Sequence, residues 1–190
     1  MKTFAKNTFR IILFIVGFIA ALYIFMPWRE AGKLAVYVAH SRLQRLGMRL
    51  NYSDVVGTDG GFTVQNLTLS GMANITLSSV TIQPNIASSL LSIAPVCYIT
   101  FKGAGVRLGQ MMTFGDGSFL LTAGREINLE DMQTNGEFSL RGDITIDPSS
   151  MRIVRANARL GLPETFSQNI GILRNFLPLV QEGDSWYLRR

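Results

Sequence analysis

The eighteen residues from Ile11 to Trp28 carry no charged side chain. As a helix rising about 1.5 Å per residue they would reach roughly 27 Å, near the thickness of a bilayer's hydrocarbon. The run predicts one transmembrane helix bounded by Ile11 and Trp28. Tyr23 and Trp28 sit toward its outer end as interfacial aromatics, and Pro27 falls where the last turn leaves the hydrocarbon. A cleaved secretory signal would share the basic start of Lys2, Lys6 and Arg10. The apolar stretch, however, exceeds the usual length of about 7–15 residues, and no small-x-small cleavage site follows. The three cations and the α-amino group, set against Arg29 and Lys33 beyond the span, favour a cytoplasmic N-terminus. The predicted organisation is a cytoplasmic N-terminus and anchor over residues 1–28 and one β-rich domain outside the cytoplasm over residues 29–190.

The charge balance narrows the function classes. Of the formal net charge of +5, Lys2, Lys6 and Arg10 supply three, leaving +2 for the remainder. That is no basic stripe, and a nucleic-acid partner is not expected. Charged residues make up 16% of the chain, low against about 25% for an average protein, which favours a β domain with Ser, Thr and Asn on its wet faces. Cys97 is the one cysteine and His40 the one histidine, so neither an internal disulfide nor a metal site is expected. Cys97 lies in the apolar run Pro95 to Ile99 and reads as a small buried hydrophobe.

After the span, Ala31, Leu34, Ala35, Val38, Leu43 and Leu46 recur at near-helical spacing between Glu30 and Gly47. They predict a juxtamembrane helix stopped at Gly47. Arg42, Arg45 and Arg49, at i, i+3 and i+7, would share one face. They either contact phospholipid head groups, each worth on the order of 1 kcal/mol at an anionic surface, or form a solvated face. His40, on the same helix, has no acid or nucleophile placed beside it and reads as a surface or packing residue.

Beyond Arg49 the period falls to two, with Gly, Asn, Asp and Pro at short intervals, which predicts an antiparallel β-meander. Phe62 and Val64 slip in phase to Leu67 and Leu69, and Ile75 and Leu77 slip to Val80 and Ile82. Each slip predicts a bulge or bend. Val96 to Leu108 is a strand pair or one long strand interrupted at Gly103 and Gly105, and Ser118 to Thr122 and Arg125 to Leu129 are shorter candidates. The clearest strand is Gly136 to Asp147. Phe138, Leu140, Ile144 and Ile146 share its apolar face, with Glu137, Ser139, Arg141, Asp143, Thr145 and Asp147 opposite. A turn at Asp147-Pro148-Ser149-Ser150 returns the chain through Val154, Ala156, Ala158 and Leu160. Pro163 and Glu164 open an amphipathic helix with Phe166, Ile170, Leu173 and Leu177 as its stripe, ended by Pro178. Ser185 to Arg190 reads as a last edge strand. The fold class is thus mainly β with flanking helices.

No phosphate loop, nucleophile elbow or metal-ligand cluster occurs, so no catalytic residue and no cofactor are expected. Gly60-Gly61 and Gly103-Ala104-Gly105 read as turn glycines. Glu130-Asp131 and Asp143 with Asp147 are carboxylate pairs without an aromatic pocket to raise a pKa, and solvation is their simplest role. The sequons at Asn51, Asn66 and Asn74 carry no assigned function.

The order of elements, together with Gly61-Phe62-Thr63-Val64-Gln65-Asn66-Leu67-Thr68-Leu69 and Gly142-Asp143-Ile144-Thr145-Ile146-Asp147-Pro148, resembles the type II secretion system protein N family. That family is itself distantly like the larger AsmA-type envelope proteins. The resemblance implies a single-pass protein of the bacterial inner membrane with a periplasmic domain. Its expected role is a non-enzymatic accessory of a secretion or envelope assembly complex, partnered by membrane lipid and other envelope proteins. The alternative is a lipid-handling module whose apolar sheet face forms an open groove.

Overall fold

The computed structural model describes residues 23–71, 74–108, 110–150, 152–163, 178–182 and 185–189, together with Phe14, Gly17, Phe18 and Ala21. Eight of the eighteen residues of the predicted span, and residues 164–177 of the predicted C-terminal helix, lie outside the described residues. Among those described, no helix is long and apolar enough to cross a membrane. The described chain comprises two helices, α1 (Trp28–Arg45) and α2 (Ile86–Ser92), and eleven strands. The strands are β1 (Arg49–Asn51), β2 (Asp54–Thr58), β3 (Gly61–Ser70), β4 (Asn74–Pro84), β5 (Val96–Leu108), β6 (Gln110–Ala123), β7 (Ile127–Thr134), β8 (Ser139–Asp147), β9 (Arg152–Gly161), β10 (Leu179–Glu182) and β11 (Ser185–Arg189).

Helix α1 begins after a break at Met26 and Pro27, because proline has no N–H with which to continue the helical residues Tyr23 to Phe25. The Pro27 carbonyl accepts from the Ala31 N–H at 3.0 Å and starts the new helix. The far end stops at Gly47, whose φ of +74° only glycine adopts freely. Of the predicted apolar stripe, Leu43 packs against the core, but the buried face is centred elsewhere. Gly32 and Val36 are buried, whereas Leu34 is 65% and Val38 44% exposed. At Gly32 a side chain would collide with Phe62 and Val55, so the tightest contact of α1 falls where the sequence offers no apolar side chain to count.

All eleven strands form one antiparallel sheet in the order β1-β3-β4-β5-β6-β7-β8-β9-β11-β10, with β2 also paired to β3. From β3 to β9 neighbours in sequence are neighbours in space, as the meander predicts. Beyond β9 the expectation fails: β11 lies between β9 and β10, so β10, not the Ser185 segment, is the edge. Val96 to Leu108 is one strand, and β6 and β7 are longer than the short runs read from the sequence.

A transverse crease accounts for the phase slips. Asn66 (φ +48°), Gly103 (φ +62°) and Gly115 (φ +67°) interrupt β3, β5 and β6 in left-handed backbone. Asn66 and Ser78 are skipped together, and the β3–β4 register is the same on both sides of them. Each interruption swaps the parity of inward positions, from Phe62 and Val64 to Leu67 and Leu69, and from Ile99 and Phe101 to Ala104 and Val106. The apolar side chains therefore stay on one side while the strands bend.

That side holds both core clusters. One joins Val36 of α1 to Leu50, Val55, Phe62 and Val64, so α1 covers the β1–β3 end. The other runs through Met112, Met132, Phe138, Ile144, Ala156, Ala158, Leu160 and Leu188. Phe138 and Ile144 are buried as predicted, and Leu140 and Ile146 are half-buried against the cluster. Phe138 precedes β8, in a bend organised by Thr134, whose hydroxyl accepts from the Leu140 N–H at 2.9 Å. In β9 a register shift between Thr145 and Ile146 pairs Ile146 with Ile153. Ile153 takes the inner position expected of Val154, which is 38% exposed.

Candidate functional site

The opposite side of the sheet is polar, and cross-strand pairing shows how it is built. Thr63, Thr81, Thr100 and Ser118 stand in register across β3 to β6, and Gln133, Arg141 and Arg159 continue the row. Directly opposed residues share a face, so the row is a band of hydroxyls ending in two guanidiniums. The polar face is hollowed where β7 bulges at Asp131 (φ +52°). Two hollows of about 460 and 560 Å³ flank the bulge, and both are lined by Asp131 and Asp143. Asp143 is more than a solvated charge, because its Oδ1 accepts the Asp131 N–H at 2.9 Å and holds the bulge.

Asp147 is likewise committed to the backbone. Its carboxylate accepts from the Ser150 hydroxyl at 2.7 Å and from the N–H and hydroxyl of Ser149 at 2.9 and 2.7 Å. The Ser150 hydroxyl first, and then Ser149, hold its pKa down from 3.8 to about 2. Asp143 therefore holds a bulge and Asp147 a turn of the sheet. Among the described residues, no group of three or more His, Cys, Asp or Glu is placed to hold a metal ion. Cys97 is half-buried in β5, opposite Pro84 and Leu121, where burial pushes its thiol pKa up.

The single histidine docks α1. His40 Nδ1 lies 3.0 Å from the Leu50 carbonyl oxygen, a contact that requires the proton on Nδ1. Beside it a hollow of about 490 Å³ opens between the end of α1 and β1. Arg42 and Arg45 lie in the last turn of α1, but Arg49 is the first residue of β1. The helix stops at Gly47, so the three do not form one helical row. All three are exposed.

The other end of α1 joins the apolar run to the sheet. The Tyr23 hydroxyl donates to the Gly60 carbonyl oxygen at 2.9 Å, and the Tyr23 ring meets Trp28 edge to face with centroids 5.1 Å apart. Arg29 Nε donates to the Val55 carbonyl at 3.2 Å, and its guanidinium lies 3.7 Å from Asp54. No motif in the sequence announces the hydrogen bonds from Tyr23 and Arg29, which reach across 37 and 26 positions. The described sheet has short strands at both edges: β1 and β2 share β3, and β10 lies at the other side, with Glu182 paired to Arg189 of β11.

A family model described as Type II secretion system protein GspN-like, Synergistales, matches residues 5–190. The chain belongs to that family. GspN-like membership implies an accessory role in type II secretion, and the match takes in both the apolar N-terminal run and the whole described sheet. No curated protein and no solved structure matches the chain.

Proposed function

We propose that the protein is a single-pass, non-enzymatic accessory subunit of a type II secretion complex. Ile11 to Trp28 crosses the inner membrane, and the sheet stands in the periplasm, where its edges and polar face contact other subunits. The observation that carries this reading is the GspN-like match over residues 5–190, joined to a sheet that ends in short strands at both edges. Exposed edges offer unpaired N–H and C=O groups to a partner strand. The long uncharged run supports the anchor. A photo-crosslinking residue placed at Val180 in β10 or Val56 in β2, in cells assembling the secretion machine, should trap a secretion subunit. Free monomer at both sites, with secretion intact, would refute edge contact. Reporter fusions after Leu50 test orientation, and activity of a cytoplasm-only reporter there would overturn it.

A second reading, a lipid-handling module, is favoured by the breadth of the apolar side, which runs from Phe62 in β3 to Leu188 in β11. Organic extraction of the purified full chain followed by mass spectrometry for bound phospholipid tests it.

A further inference from the structure

The β4–β5 connection carries Leu91 and Ile93, the two most exposed large apolar side chains among the described residues. They are 87% and 94% exposed, with Leu90 beside them at 63%, and no residue from Asn74 to Phe101 is charged. Ile93 holds a φ of +53°, a backbone conformation unfavourable for a β-branched residue, and buries nothing by it. In water such a tip gains nothing from its composition.

Its polar groups are turned inward. Asn85 Oδ1 accepts from the Ser88 N–H at 3.1 Å, and the Ser89 hydroxyl donates to the Asn85 carbonyl at 2.7 Å while accepting from the Val96 N–H at 2.8 Å. The Ser92 hydroxyl donates to the Ser88 carbonyl at 2.7 Å. A segment whose hydrogen-bonding groups satisfy one another while its apolar side chains point outward suits a medium that cannot hydrogen-bond.

The position of the tip names that medium. In the meander the β2–β3 turn at Gly60 and the β4–β5 connection fall at the same end of the sheet, because Phe62 pairs with Ile82 and Pro84 with Cys97. Gly60 accepts the Tyr23 hydroxyl. The end of the sheet that carries Leu90, Leu91 and Ile93 is therefore the end fastened to the apolar run. We infer that the α2 tip dips Leu90, Leu91 and Ile93 into the leaflet that Ile11 to Trp28 leaves, giving the domain a second hold on the same bilayer. This rests on the membrane-anchor reading above. Helix α1 starts beside Val55 and ends beside Leu50 and Ser70, so Arg45 stands at the opposite end and stays in water.

The test uses the full chain with Cys97→Ala, or Cys97→Ser where alanine lowers the yield, reconstituted in phosphatidylethanolamine and phosphatidylglycerol vesicles. Single cysteines at Phe14→Cys, Leu91→Cys and Arg45→Cys carry an environment-sensitive thiol dye. Positions 91 and 45 are exposed, so labelling there leaves packing intact. The expected result is iodide quenching severalfold weaker at 91 than at 45, with strong quenching at 91 by lipids brominated near the head group. Equal iodide quenching at 91 and 45, with 14 shielded, overturns the tip and leaves the anchor standing. Shielding at 45 but not at 91 means that the domain lies on α1, and overturns it too. Shielding at 91 without bromolipid quenching indicates self-association and refutes the bilayer as occupant. Iodide access at 14 removes the anchor, and the tip proposal with it.

Discussion

Asp116 and Asn135 exchange hydrogen bonds between β6 and the end of β7. The Asp116 N–H donates to Asn135 Oδ1 and the Asn135 N–H donates to the Asp116 carbonyl, each at 3.0 Å. Asp116 Oδ1 also accepts the Gly103 N–H from β5 at 3.0 Å. Two short polar side chains thus supply the ladder bonds that the crease removes. Asn135→Ala should cost about 0.5–1.5 kcal/mol in urea unfolding. Hydrogen exchange should quicken at the amides of Asp116 and Gly103 before it does in the β8–β9 hairpin.

Gly32 sets the distance between α1 and the sheet. An added Cβ would lie 2.6 Å from Phe62 Cγ and 2.8 Å from Val55 Cγ1, and both neighbours are at most 5% exposed. Alanine gains up to about 1 kcal/mol of helix propensity, while overpacking costs about 1–3 kcal/mol. Gly32→Ala should therefore lower stability slightly, and Gly32→Leu by more than the upper figure. Urea melts of the two variants check the order.

Ile144 and Thr145 are adjacent and face opposite ways. Ile144 is 8% exposed and packs in the main cluster, and Thr145 pairs with Asn128 and Arg155. Ile144→Glu buries an unpaired carboxylate and removes apolar contact, a loss of roughly 3 kcal/mol or more. Thr145→Glu should change stability by no more than about 0.5 kcal/mol. If the apolar side is an open lipid groove, Ile144→Glu instead spares the melt and abolishes phospholipid binding. Thermal melts with and without phospholipid separate the two outcomes.

The Asp147 turn should respond to acid. Its carboxyl titrates at about 2 in the fold against an ordinary 3.8, so the folded pKa is depressed. The stabilisation is fully present above the ordinary value and fades as pH falls from there through about 2. Amide exchange at Ser149 should quicken across that window in the wild type. In Asp147→Asn it should be fast already at neutral pH, with no such step.

Replacing Asp143 or His40 by alanine removes one backbone contact each, a loss of about 0.5–1.5 kcal/mol apiece. Secretion assays normalised to protein level should stay within a small factor of wild type. A loss of secretion at unchanged protein level from either substitution would point to chemistry at that residue.

Period-two alternation made β8 and most of β9 legible, because inward and outward neighbours differ sharply in polarity there. The phase slips announced the crease, and Gly103 was legible as an interruption of its strand, but not that Asn66 and Gly115 would join it, since left-handed backbone leaves only a weak trace in composition. The packing face of α1 was misread for a related reason: its centre is a glycine, and counting apolar residues pulled the stripe toward Leu34 and Val38. Arg49 was assigned to a helix that Gly47 ends. The edge position of β10 and the Tyr23–Gly60 bond depend on partners far apart in sequence, which periodicity does not register. The polar-face hollows were missed because the bulge at Asp131 that opens them interrupts the ladder within β7.

The insertion of β11 between β9 and β10 imposes an order on assembly. Leu179 to Glu182 pair with Leu188 to Ser185, while Ala158 and Leu160 wait for Leu188 and Trp186. When the chain leaves the ribosome, β10 emerges first yet has no place on the sheet, since its partner among the described strands follows it. The two strands must zip together locally and then land on β9 as a preformed ribbon. Until they do, β9 is a nascent edge carrying Ala156, Ala158 and Leu160 uncapped, and that interval is when a chaperone or a neighbouring chain has its opening.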